Sequence, residues 1–201
     1  VGSEMCIRDR KTFKKLQVMH AEKKIQNKAK NDFLSFVKCV WPDFVEGSHH
    51  RHIADKFNKL ATGEINRLII NMPPRHTKSE FASYLFPAWM IGKYPNLKIM
   101  QVSHNAELSS RFGSKVRNLM EQKEYKNIFG DVKLREDSKA KGRWETNHGG
   151  EYFAAGVGGS ITGRGADLLI IDDPHTEQDS LSDSAMAVSY THLTLPTKRI
   201  V

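Results

Sequence analysis

"NMPPRHTKSEFASY", residues 71–84, joins an apolar run to a helical pattern through a proline-rich loop. The run "INRLIINM", residues 65–72, reads as a buried strand, and a helix is expected from Thr77 to about Ile91, bearing Phe81, Tyr84, Leu85 and Trp89. Lys78 and Ser79 form the closing pair of the phosphate-loop pattern G-x-x-x-x-G-K-[ST]. Neither glycine is present, because Met72 and Thr77 occupy their places.

Two readings are open from these residues. In the first, Pro73 and Pro74 hold a phosphate cradle open, and the backbone of residues Pro74, Arg75, His76, Thr77, Lys78 and Ser79 faces the anion at a helix N-terminus. Lys78 then bridges the terminal phosphates and Ser79 binds Mg²⁺. In the second, a Pro-Pro turn simply caps a helix that carries a lysine.

The 201-residue chain, 39% hydrophobic and 27% charged, has the length and apolar content of one globular domain with a sizeable core. No apolar run approaches the roughly 18 residues of a membrane span, and the basic N-terminus lacks the apolar stretch of a signal peptide. A soluble protein without a membrane partner is expected. Cys6 and Cys39 give neither a disulfide framework nor a C-x-x-C zinc pattern, which favours a reducing compartment. The net charge of +8 favours a polyanionic partner such as nucleic acid.

Both ends are set apart from the fold. Met5-Cys6-Ile7-Arg8-Asp9 can be encoded by a DNA whose reverse complement encodes Val-Ser-Tyr-Thr-His, and residues 188–192 have that sequence. One element on opposite strands at both ends is what a transposon-type sequencing adapter leaves. Residues 1–10 and 188–201 are therefore expected to be non-native, 11–48 to form a helical segment, and 49–187 to be the main domain, truncated.

Within it, strands and helices alternate. "RHIADKFNKLATG" reads as a helix closed by Gly63, "NLKIMQVS" as a strand, and "AELSSRFGSKVRNLMEQ" as a helix with Leu108, Phe112, Val116 and Leu119 or Met120 inward. In the helical segment, Leu16, Met19, Leu34, Val37 and Val40 recur at helical spacing between lysines, which read as a solvated face. "GEYFAAGV" and "DLLIIDD" supply further strands, and the pattern predicts a parallel sheet with helices on both faces.

"ADLLIIDDPH", residues 166–175, brings Asp172 and Asp173 to the C-terminal end of a buried strand, where ligands bind in open α/β sheets. The first carboxylate suits Mg²⁺ and the second suits a water-orienting or proton-accepting role; the alternative is a strand that ends in an Asp-Asp-Pro turn. A lysine loop and an acidic strand on one chain, with a strand and helix between them, favour nucleotide hydrolysis. "GVGGSITGRG" is not a dinucleotide fingerprint, because Ile161 replaces its third glycine. His49 and His52 of "HHRH" lack companion ligands at metal spacing, so the cluster reads as surface or as part of a pocket near the adenine.

The chain resembles the large terminase subunit of tailed phages, through "HHRHIADKF", "GEINRLIINMPPRHTKSE", "FPAWMIGKYPNLKIMQVSHNAELSSRFGSKVRNLM", "GGEYFAAGVGGSITGRGADLLIIDDP" and "DSLSDSA". This resemblance implies a RecA-like P-loop ATPase of the class with an added strand between the two motif strands (ASCE type). It implies ATP and Mg²⁺ as cofactors, Ser79 and Asp172 at the metal, and Lys78, Asp173, Arg75 and Arg164 as catalytic residues. Arg75 takes the part of a γ-phosphate sensor in its own subunit, and Arg164 that of a finger reaching a neighbour; the alternative for Arg164 is a turn residue between glycines. The implied partners are double-stranded DNA, a small terminase subunit, the portal of a prohead and further copies in a ring, a pentamer by resemblance, in the host cytoplasm. A nuclease domain is expected after residue 187. Thr77 departs from the family's commoner glycine, and Asp173 from its usual glutamate. A nucleic-acid-binding fragment with a degenerate ATP site and a helicase-like ATPase are the alternatives.

Overall fold

The computed structural model describes residues 2–73, 75–157, 164–175 and 197–200. Helices α1 (Gly2–Asn31), α2 (Phe33–Val40) and α3 (Ser48–Thr62) come first. A π-helical turn (Glu80–Leu85) then runs directly into α4 (Phe86–Lys93). Next come β1 (Lys98–Ser103), α5 (Ala106–Glu121), α6 (Lys123–Ile128), β2 (Leu134–Lys139), β3 (Arg143–Thr146), β4 (Glu151–Gly156), β5 (Ala166–Ile171) and β6 (Thr197–Ile200).

The sheet order is β2-β3-β4-β1-β5-β6. β1 pairs in parallel with β4 and β5, and β5 with β6, whereas β2 and β3 add an antiparallel edge. The sheet is therefore mixed, not wholly parallel as its apolar strands predict. β1 is buried at every position after Lys98, its polar Gln101 and Ser103 included. Helix α5 starts at the Asn105 cap, whose side chain accepts from Glu107 N at 2.8 Å, and buries Phe112, Val116, Leu119 and Met120. A Cβ on its Gly113 would meet the Tyr152 ring at 2.8 Å and Lys141 O at 2.9 Å, so only glycine lets α5 approach β4 this closely. Leu108, expected inward, is only half-buried.

The helices converge on Phe33. Its ring packs edge-on against Phe57, Phe81, Phe86 and Trp89 at 5.0–5.8 Å, tying α2, α3, the π-helical turn and α4 into one core. The residue before it, Asp32, caps α2 by accepting from Ser35 N at 2.8 Å and also accepts from Asn58 Nδ2 at 2.9 Å. Burial works against this carboxylate, but the hydrogen bonds from Ser35 and Asn58 and the charge of Lys28 outweigh it and hold its pKa below 3.8. Its contribution is therefore complete above that pH and fades as pH falls through the lower folded value. Asp32→Ala is expected to destabilise the chain by ~1–2 kcal/mol at neutral pH, read from the denaturation midpoint.

Three expectations are corrected. Residues 65–72 do not form a strand: Leu68, Ile70 and Met72 pack partly on the core, while Ile69 is 87% exposed. The alternation is that of an extended segment, which makes a single β-bridge at Arg67 and no strand, and the edge of β5 is taken by β6. Among the described residues, helices pack on one face of the sheet. The large core cluster joins the helices to Ile99, Tyr152, Leu168 and Ile170, whereas the opposite cluster of Met100, Val102, Ala155 and Leu169 holds strand residues only. Finally, Leu16 and Met19 of α1 are exposed; its C-terminal part docks, through Ala29, whose carbonyl accepts from Trp89 Nε1 at 2.9 Å.

The ends expected to be non-native carry regular backbone, since α1 begins at Gly2 and β6 lies beside β5. An open strand edge pairs through backbone groups alone, so any extended sequence docks there. Among the described residues no helix is long and apolar enough to cross a membrane.

Candidate active site

Lys78 meets the two carboxylates at the C-terminal end of β5. Its Nζ lies 2.9 Å from Asp173 Oδ1 and 4.0 Å from Asp172 Oδ1. Asp172 is 6% exposed, its backbone N donates to Val102 O at 2.9 Å, and its Oδ2 accepts from Ser83 Oγ at 2.8 Å. Asp173 turns out of the sheet at φ 46° and is exposed; its carbonyl accepts from His104 N at 3.0 Å. The two carboxylates thus differ in environment: one is fixed inside the protein, the other stands in a solvent-filled cleft. That cleft, about 550 Å³, is lined by Met72, Pro73, Arg75, Lys78, Ser79 and Asp173, among others.

The loop takes a glycine-like path without glycines. Arg75 has φ 64° and Thr77 has φ 63°, both in the left-handed region. For a β-branched residue this conformation costs of the order of 1–3 kcal/mol, so surrounding contacts must hold it. Thr77, at the second glycine position of the pattern, therefore does conformationally what the glycine does. The first intrahelical bond, Phe81 N to Thr77 O at 2.9 Å, leaves the amides of the preceding turn without helical partners. Those amides and the dipole end suit an anion. Arg75 and His76 are exposed on this loop, and Pro74 lies outside the described residues.

The donors present fit Mg²⁺ with a polyphosphate. Mg²⁺ commonly takes one or two protein oxygens and completes its octahedron with phosphate and water, and the Ser79 hydroxyl and an Asp172 carboxylate oxygen are donors of that kind. One Asp172 oxygen is already oriented by Ser83, leaving the other toward Lys78. Among the described residues there is no cluster of three or more His, Cys, Asp or Glu that could hold a metal by itself. Glu80, beside Ser79, is neutralised by Lys115 at 2.5 Å and adds no competing charge to the cradle.

Arg164 is elsewhere. It precedes β5 and sits at the opposite end of the sheet, donating from Nη1 to Glu151 Oε1 at 3.3 Å and lying 4.2 Å over the Phe153 ring. The six-residue β5 spans about 20 Å. The structure brings together Lys78, Asp172, Asp173 and the loop, and holds Arg164 apart from them.

Two polar residues at this site, Ser83 and His104, escape sequence reading, and a third, His50, lies in the cluster read as surface or as part of a pocket near the adenine. Ser83 orients Asp172 from the π-helical turn, His104 clasps the backbone of Asp173, and His50 of "HHRH" hydrogen-bonds Thr77. Ser83 carries a faint signal, since it is a polar residue four positions after Ser79 in an otherwise apolar helical face.

No family model matches the chain. It is 24% identical over 183 residues to the protein described as "Terminase, large subunit" of Enterobacteria phage T3, which covers 86% of the chain and 31% of that protein. The relationship is terminase-like. The chain spans about a third of the length of this relative.

Proposed function

We propose that the chain is the nucleotide-binding part of an ATP-hydrolysing motor that drives double-stranded DNA into a prohead. The observation that carries the reading is the contact of Lys78, in a helix-opening loop, with Asp172 and Asp173 at the end of β5. A terminase-like relative supports it from an independent side. In this reading ATP phosphates enter the cleft, displace Asp173 from Lys78, and lie against the first-turn amides. Ser79 and Asp172 would hold Mg²⁺, which when bound would supply charge neutralisation at the phosphates. Asp173, exposed and released from the lysine, positions or deprotonates the attacking water. Its side chain is one methylene shorter than glutamate, and its turn at φ 46° carries it outward instead. Arg75, on the same loop, senses the terminal phosphate.

The same reading assigns double-stranded DNA, a small terminase subunit, the portal and further copies of the chain in a ring as partners, in the cytoplasm of a bacterial host. The test separates the two carboxylates. Asp173→Asn is expected to retain Mg-ATP binding and slow turnover ~10²–10⁴-fold, the usual worth of a general base. Asp172→Asn is expected to weaken Mg²⁺-dependent binding itself. Equal loss of binding in both variants contradicts the separate roles.

A further inference from the structure

We infer that His50 is a positioning residue that holds Thr77, and with it the phosphate loop, in the left-handed conformation that a glycine would adopt unaided. The inference rests on the phosphate-binding reading of this loop.

The hydrogen bonds form a relay whose directions are fixed. Gly47 N donates to His50 Nδ1 at 2.9 Å, so Nδ1 carries the lone pair and the proton of the neutral ring is on Nε2. Nε2 lies 2.8 Å from Thr77 Oγ1, and that hydroxyl donates onward to His76 O at 2.6 Å. The hydroxyl's proton is thus committed to His76, and it accepts from His50. The bond from His50 grips Thr77 across 27 positions of sequence, while the bond to His76 O is local to the loop.

Packing fixes the ring as firmly as its bonds do. His50 is 5% exposed, stacked on Phe81 at 4.9 Å and set edge-on to Phe44 at 4.8 Å. Phe81 lies on the helix that the loop opens, so the ring touches both the strained residue and the helix that follows it. The charged neighbours are His49, at 3.8 Å between ring centres, and Glu46; His76 faces His49 at 6.0 Å. Burial, and then the charge of His49, hold the pKa of His50 below 6.5 against the opposing pull of Glu46, so the neutral tautomer required by the relay is the resident one. The sequence supplies the reason for the device: Thr77 stands where glycine would take φ 63° without steric cost.

The test uses the chain with His50→Ala, His50→Gln, Thr77→Gly and the His50→Ala/Thr77→Gly pair. Two quantities are read: amide hydrogen exchange at Phe81 without nucleotide, and the affinity for Mg-ATP. His50→Ala is expected to speed exchange at Phe81 and weaken Mg-ATP binding about tenfold, the size of one lost hydrogen bond. Glutamine, whose amide nitrogen replaces Nε2–H as a donor, is expected to recover most of both. Adding Thr77→Gly to His50→Ala is expected to recover affinity relative to His50→Ala alone, because the strain to be held is gone. The inference is overturned if His50→Ala leaves exchange and affinity unchanged. It is equally overturned if the double variant is as weak as His50→Ala, since His50 would then act through Phe81 and Phe44. If His50→Ala speeds exchange while no variant, nor the wild type, binds Mg-ATP, the positioning role stands and the nucleotide reading fails.

Discussion

Lys78→Ala is expected to abolish ATP hydrolysis, with a fall of at least ~10²–10³-fold, while leaving the fold intact. Among the described residues its Nζ reaches the ends of Asp172 and Asp173, and its ion pair with the exposed Asp173 is worth ~0–1 kcal/mol. Asp172 keeps its bond from Ser83 in the variant, so the carboxylate that loses a cation at 4.0 Å is not left without a partner. With phosphates bound the same ammonium neutralises the charge that develops in transfer, where its removal is felt in full. Turnover and the thermal midpoint, measured together, check this: a stable variant with unchanged turnover removes Lys78 from the site.

Arg164→Ala is expected to cripple hydrolysis in an assembled ring while sparing ATP binding by the single chain. A guanidinium delivered to a neighbour's γ-phosphate is worth ~10³–10⁵ in rate. The position supports a role in trans: Arg164 is at the far end of β5 from Lys78, tethered to Glu151 at 3.3 Å and resting on Phe153 at 4.2 Å. To act on a neighbour it must leave this tether, which is part-exposed and therefore weak. Mixing Arg164→Ala with Lys78→Ala subunits discriminates. Partial recovery of activity is expected for action in trans; none is expected if Arg164 serves only to tie the start of β5 to β4.

Much of this arrangement was legible because each motif lies on an element with an unambiguous period. β1 and β5 read as buried strands from their apolar runs, α5 from Phe112, Val116 and Leu119, and the pairing of Lys78 with Asp172 and Asp173 follows once a loop and a strand end face each other. Residues 65–72 misled for the same reason: an apolar run suggests burial on two faces, but a strand also needs a ladder of backbone pairing, and this segment has a single bridge at Arg67 and an 87% exposed Ile69. The antiparallel β2 and β3 were passed over as polar because an edge strand carries charge, here with Arg135 bridging Asp137 and Glu145. The left-handed turn at Thr77 was illegible, since threonine is the residue type least expected there. Its support, His50, lies in a different element and reveals itself only in three dimensions.

Calorimetric titration of ATP into the folded chain, with and without Mg²⁺, tests the central claim most directly. The account predicts saturable binding at one site that requires Mg²⁺, weakens with Lys78→Ala and with Asp172→Asn, and persists with Asp173→Asn. Absence of binding by the folded wild-type chain, or binding indifferent to Lys78 and Asp172, contradicts it.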